Sequence, residues 1–349
     1  MMYHNKDTNR KTLAIVQGDP AGIGPELLIK LLNCDEVRKS ANLVIIGDPA
    51  VFKLGEEQTG ISINGVRHAP PDTAVEISAG EILHLDMHFA GIRDVRPSQA
   101  TAIGGNSSIR GFHRALELSR DSTVDGVVFM PFNKECMHLA GSQFTDEIAY
   151  ATDFFKLSTR PSEFNVVRGM WNGRVTSHVA LRDVPNLLSI ERIEQSIHLT
   201  NHTLKAAGFD NPRIVVAALN PHAGDGGLMG DEEAKYIRPA VRLAQEKNVN
   251  CVGPVPADTL WLKVREGAYD AVVSMYHDQG QIAIKLLGFD QGVSVLAGLP
   301  TIITTPAHGT AYDIAGQNKA TVVPTVNAFL MCLNIASNRK MHDFLEGLR

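Results

Sequence analysis

The chain has 349 residues, of which 44% are hydrophobic and 20% charged, ordinary values for a folded protein with a sizeable core, and they exclude an intrinsically disordered chain. Lys plus Arg (33) against Asp plus Glu (38) gives a net charge of −5, so there is no global attraction to nucleic acid or to an anionic membrane. No apolar run reaches the roughly 20 residues that cross a bilayer, and a length of this order suggests about two domains.

In chain order, the first twelve residues, MMYHNKDTNRKT, are polar and lack the apolar core of a secretory signal, so they read as an extension ahead of the first strand. A strand is expected at Thr12–Val16, then a Gly/Pro loop, Gly18-Asp-Pro-Ala-Gly-Ile-Gly-Pro-Glu26, then a helix over Pro25–Leu32. Pro25 suits a first helical position and Glu26 the positive end of the helix dipole. That loop is neither GxGxxG nor a P-loop, and it reads either as a phosphate cradle at a helix start or as a tight packing turn. Further apolar strands are expected at Leu43–Ile46, Gly126–Met130, Ile214–Leu219 and Ala271–Met275, each ending in a polar loop. Strands apolar throughout and alternating with helices predict an α/β fold covered on both faces, with ligands gathered at the C-terminal strand ends. Between them, Glu163–Val167 and Arg174–Ala180 flank Trp171-Asn172-Gly173, which reads as a hairpin turn and predicts antiparallel structure in mid-chain. No linker is visible, which predicts a chain that crosses between its domains more than once. The cysteines, Cys34, Cys136, Cys251 and Cys332, form no CxxC pair and read as reduced thiols of a cytoplasmic protein.

Three of the thirteen histidines stand out. His178 lies in a strand-like segment, His222 ends a strand in Leu219-Asn-Pro-His222, and His277 ends one in Met275-Tyr-His277. Imidazole is a common ligand of zinc and related ions, and three protein ligands with an open position is a catalytic pattern. Their spacing matches no local zinc motif, so on spacing alone the structural reading is the stronger. The glycine-rich loop after His222 reads as a backbone that approaches a ligand or as a flexible turn before a helix near Asp231. Lys285 reads as a group that neutralises an anion or moves a proton, or as an exposed helical lysine. Asp278 and Asp258 read as acidic groups near the same strand ends, or as helix caps.

In order and combined, Gly18–Glu26, His178-Val-Ala-Leu-Arg-Asp-Val-Pro185, Leu219-Asn-Pro-His-Ala-Gly-Asp-Gly-Gly227, Gly253-Pro-Val-Pro-Ala-Asp-Thr259, Met275-Tyr-His-Asp-Gln-Gly280 and His308-Gly-Thr-Ala311 resemble the 4-hydroxythreonine-4-phosphate dehydrogenase family over about residues 12–337. The resemblance implies a two-domain isocitrate/isopropylmalate dehydrogenase-like fold, three-layer α/β/α with an interdomain cleft. Residues 1–132 and 300–349 would form the domain with the adenine-side loop, and 133–299 the domain with the histidines and dimer contacts. It implies a cytoplasmic homodimer with shared active sites, a divalent metal held by His178 and His222 of one subunit and His277 of the other, and NAD or NADP. Zinc suits three imidazoles best, with Co, Mn or Mg as alternatives. The implied chemistry is oxidation of a secondary alcohol β to a carboxylate in a small anionic hydroxy acid, followed by loss of CO2. Lys285 and Asp278 are the catalytic candidates. Thr145, Asp146, Asp258, Lys285 and Ser294 would meet substrate, and His308, Gly309, Thr310, Ala311 and Asp313 the cofactor.

The chain departs from the family pattern at several positions. Thr145 and Asp146 stand in the places of a His and a Thr, Ser294 in that of an Asn, and Ile303 in that of an Arg. Losing that guanidinium removes a bidentate anion partner. The substrate pocket therefore reads as rewritten, with a four-carbon sugar-acid phosphate or an aromatic cis-dihydrodiol such as that of terephthalate as alternative substrates. A phosphate acetyltransferase-like acyltransferase shares the architecture and is the alternative of another class.

Overall fold

The computed structural model describes residues 10–338, so the polar N-terminal stretch lies mostly outside the described residues. Among those residues the strands are β1 (Thr12–Val16), β2 (Asn42–Gly47), β3 (Val66–Ala69), β4 (Ile82–Asp86), β5 (Gly126–Phe129), β6 (Ser162–Val167), β7 (Met170–Arg174), β8 (Ile214–Ala217), β9 (Cys251–Val255), β10 (Ala271–Ser274), β11 (Val293–Ala297) and β12 (Ile303–Pro306). Helices lie between most of them, giving a mixed α/β protein. None of the described helices is long and apolar enough to cross a membrane.

The chain forms two compact units, described residues up to Ser158 with 299–337, and residues Thr159–Gly298. In the first unit the strand order is β3-β4-β2-β1-β5-β12, and the pairs are parallel throughout. β1, β2 and β5 are almost wholly buried and mainly apolar, as a sheet covered on both faces requires. The chain leaves this unit at 158/159, later than the 132/133 boundary expected from sequence. The reason is the helix Lys134–Leu139, which packs so closely on the helix Ala102–Arg120 that a Cβ on Gly105 would lie 1.9 Å from the Cys136 carbonyl oxygen.

The Gly18–Glu26 loop is sealed inside the first unit, which favours the packing-turn reading over the phosphate cradle. Gly18 has φ +77°, and a Cβ there would meet the Met130 carbonyl at 2.6 Å. Ile23 N–H donates to Thr310 O at 3.0 Å, and the buried Glu26 carboxylate accepts from Asn318 N and Ala320 N.

In the second unit the order is β11-β6-β7-β10-β8-β9. β11, β6 and β7 pair antiparallel, whereas β7, β10, β8 and β9 run parallel. The expected antiparallel hairpin is present, but its turn falls at Arg168-Gly169, both with positive φ, while Trp171-Asn172-Gly173 lies within β7. Two contacts override the turn-like sequence. Asn172 accepts from Ser274 Oγ at 2.6 Å, and the missing Cβ of Gly173 leaves room for the Phe164 ring, which a Cβ would meet at 2.6 Å.

Candidate metal and substrate site

Three neighbouring parallel strands of the second unit, β7, β10 and β8, end at one edge of the sheet, and each is followed by one of the three histidines. The sequence reading placed these residues on or at the ends of strands; the structure puts each beyond them. His178 lies four residues after β7 in an irregular loop, His222 follows β8 in a loop of left-handed turns, and His277 opens the helix His277–Gly288. The three loops are tied together at Met275. Its carbonyl accepts from Thr176 N at 3.1 Å and Thr176 Oγ1 at 2.7 Å, fixing the His178 loop to the end of β10. Met275 N–H donates to Gln279 Oε1, and Gln279 Nε2 donates to Ala218 O, each at 2.6 Å, fixing the start of the His277 helix to the end of β8.

The result is that His178 and His277 face each other, with ring centroids 5.5 Å apart and planes inclined by 41°. Two imidazoles on one tetrahedral zinc, with N–Zn about 2.0–2.1 Å, hold their centroids about 5 Å apart, so this pair fits a shared ion. His277 Nδ1 lies 2.6 Å from Asp278 Oδ1, the carboxylate–imidazole pairing that orients metal-bound histidines. His222 is exposed, and within one chain the three histidines do not bring their ligand atoms within 4.8 Å of one another. The pair brought together within a chain is thus His178 with His277, whereas the resemblance pairs His178 with His222.

The His222 loop is held from beneath. Residues 222–226 all have positive φ, between 42° and 81°. Glu233 closes the loop by accepting from Leu219 N (2.9 Å), Asn220 N (2.7 Å) and Asn220 Nδ2 (3.0 Å). Burial alone would raise the Glu233 carboxyl, but these hydrogen bonds bring it below the usual value. A Cβ on Gly224 would lie 2.9 Å from the same carboxylate, so glycine is the residue that lets this loop close.

Sequence reasoning missed a polar cluster in β6, β7 and β11. Arg174 Nη2 pairs with Glu163 Oε2 at 2.7 Å and Arg174 Nη1 donates to Asn165 Oδ1 at 3.0 Å. Ser294 Oγ donates to Glu163 Oε1 at 2.6 Å and lies 3.0 Å from Asn165 Nδ2, and Gln281 from the His277 helix donates to Asn165 Oδ1. Burial pushes the Glu163 carboxyl up, but Arg174, Ser294 and nearby His178 bring it below its ordinary value. Ser294, expected to meet substrate, is 3% exposed and partnered on both sides. An arginine closing the mixed segment Met170-Trp-Asn-Gly-Arg174 was the signal available in the sequence.

The other expected residues are spread over both units. Asp258 is exposed in the first turn of the helix Ala257–Arg265 that follows β9, and Lys285 is exposed two turns into the His277 helix. Thr145 and Asp146 belong to the first unit, where Asp146 caps the helix Glu147–Phe154 by accepting from Ala149 N at 2.8 Å. Ile303, standing in place of an arginine, is a fully buried residue of β12. His308, Gly309, Thr310, Ala311 and Asp313 follow β12 in the first unit. Burial lowers the His308 imidazole, and Tyr312 within that loop donates to the buried Asp19 at 2.6 Å.

The model for the family "Pyridoxal phosphate biosynthetic protein PdxA" matches residues 39–332. A Pseudomonas aeruginosa protein with the provisional name 4-hydroxythreonine-4-phosphate dehydrogenase 2 is 47% identical over 91% of this chain and 94% of its own. The D-threonate 4-phosphate dehydrogenase of Salmonella typhimurium is 40% identical over 89% and 94%. Among solved structures, 4-hydroxythreonine-4-phosphate dehydrogenase from Klebsiella pneumoniae is similar at a TM-score of 0.82 and 35% identity, covering 94% of this chain and 98% of that one.

Proposed function

The chain belongs to the PdxA family and is an oxidoreductase acting on a CH–OH group, and from that premise we propose that it is a metal- and NAD(P)-dependent dehydrogenase of a small phosphorylated hydroxy acid, with loss of CO2 after oxidation. The observation that carries this reading is the juxtaposition of His178 and His277 at the ends of adjacent parallel strands. In this reading His178, His222 and His277 hold the metal, zinc by donor type, and His308–Asp313 in the first unit meets the cofactor. When bound, the metal supplies Lewis-acid polarisation of the reacting oxygen and the nicotinamide accepts hydride. Asp278 fixes the tautomer and direction of His277. Lys285, on the same helix, binds the anionic substrate or takes the hydroxyl proton, and Asp258 binds a substrate hydroxyl from the end of β9. The two units are read as the domains of an isocitrate/isopropylmalate dehydrogenase-like fold, and the protein as a cytoplasmic homodimer. Support for the dimer comes from apolar side chains left exposed in the second unit, among them Leu228 and Leu286, each 84% exposed.

A second reading concerns the substrate. Ser294 is committed to Glu163 and Ile303 is buried in the core, so neither offers what the family's Asn and Arg would. Together with the relative named D-threonate 4-phosphate dehydrogenase, this favours a four-carbon sugar-acid phosphate over 4-phosphohydroxythreonine. The acyltransferase alternative gains no support from relatives named as dehydrogenases. Reduction of NAD and NADP is measured with 4-phosphohydroxythreonine and with D-threonate 4-phosphate. Turnover on either supports the dehydrogenase reading, and preference for the sugar acid supports the second. No nicotinamide reduction with any β-hydroxy acid phosphate would overturn the proposal.

A further inference from the structure

In the first unit, β3 is the edge strand and pairs only with β4 among the described residues. His68 and His84 are direct partners across that pair, and Asp86 is two residues beyond His84 on the same face. The parallel register therefore gathers two imidazoles and one carboxylate on one patch of the sheet. Asp86 Oδ1 lies 2.8 Å from His68 Nδ1 and 2.5 Å from His84 Nδ1, and the ligand atoms of all three residues lie within 4.8 Å of one another. Among the described residues this is the one group of three or more His, Cys, Asp or Glu side chains gathered so closely.

We propose that His68, His84 and Asp86 form a second divalent-metal site, distinct from the histidines of the other unit, that takes a borderline transition ion such as zinc or cobalt and clips the edge strand β3 to β4. Two neutral imidazoles and a carboxylate are a donor set for such ions. The ligands need to open by less than about 1 Å from their hydrogen-bonded spacing to reach nitrogen and oxygen distances of about 2.0–2.2 Å around one ion.

The surroundings are built for it. His84 is fully buried beside Asp86. His68 is the more exposed member and leaves the site a route to solvent. Phe52 packs edge-on against both rings, with centroids 5.4 Å from His84 and 6.4 Å from His68.

The buried Gln17 supplies a second, independent observation. Its Nε2 lies 3.1 Å from His84 Nε2, while its Oε1 is buried without a partner. With Nδ1–H of His84 donating to Asp86, Nε2 is the acceptor and Gln17 donates to it. When a metal takes Nδ1, the proton sits on Nε2 instead, and the Gln17 amide, turned over, accepts it through Oε1. That outer hydrogen bond is the one metal-bound histidines use. Gly47 makes room for the amide, since a Cβ there would lie 2.1 Å from Gln17 Oε1.

The test is cobalt(II) titration of the full chain carrying His178→Ala and His222→Ala, which removes the other candidate site, followed by ligand-field absorption and calorimetry. The expected result is uptake of one cobalt per chain, abolished by adding His68→Ala and weakened about 10- to 100-fold by Gln17→Leu. His68 sits on an exposed edge strand, so its truncation leaves the fold intact, which circular dichroism checks. Absence of cobalt uptake in the starting variant, or uptake unchanged by His68→Ala, would overturn the proposal.

Discussion

His277 is oriented by its own neighbour. Asp278 follows it at the start of a helix, where a carboxylate also favours the positive end of the helix dipole, and its Oδ1 holds Nδ1 at 2.6 Å. In the proposed reading that leaves Nε2 as the ring nitrogen for an ion shared with His178. Asp278→Ala is therefore expected to weaken zinc affinity by about 10- to 100-fold while leaving kcat at saturating zinc nearly unchanged. Zinc-dependent kinetics check this, and a collapse of kcat with unchanged affinity would make Asp278 the proton acceptor instead. At this scale the sequence was informative about residue type and silent about company. His178, His222 and His277 are visible as polar groups after apolar strands. Glu163 and Asn165 gain meaning only when β11 lies antiparallel to β6 and brings Ser294 opposite Asn165. Likewise His68 and His84 are ordinary residues until β3 and β4 fall into register.

Among the elements, the loop carrying His222 is closed largely by one buried carboxylate, Glu233. Glu233 in its ionised form accepts three hydrogen bonds from Leu219 and Asn220. Because its folded value lies below the ordinary 4.5, ionised Glu233 stabilises the fold fully above the unfolded value, and that contribution is lost as pH falls through the folded value. Glu233→Gln is expected to lower the melting temperature at neutral pH, with the gap to the parent chain narrowing on acidification. Thermal melts across the acidic range check this, and a gap that stays constant with pH would contradict it. The glycines of this loop announced a backbone with unusual φ, but not that its closure rests on an acidic residue a dozen positions later.

For the molecule as a whole, alternation of buried strands and helices was legible because apolar runs and their polar ends follow directly from a sheet covered on both faces. The unit boundary and the hairpin turn were less so. Both depend on close contacts at glycines, Gly105 against Cys136 and Gly173 against Phe164, and a sequence does not display the partner of a missing Cβ. In the proposed function, imidazoles just beyond the ends of β7, β8 and β10 make this PdxA-family chain a metal-dependent dehydrogenase. The most direct test is the rate of nicotinamide reduction by metal-stripped protein as zinc is restored, for the parent chain and for His277→Ala. The stripped parent chain is expected to be inactive and to recover with added zinc, and His277→Ala to stay inactive at zinc concentrations that saturate the parent. Full turnover by metal-free protein, or normal zinc-restored turnover by His277→Ala, would contradict it.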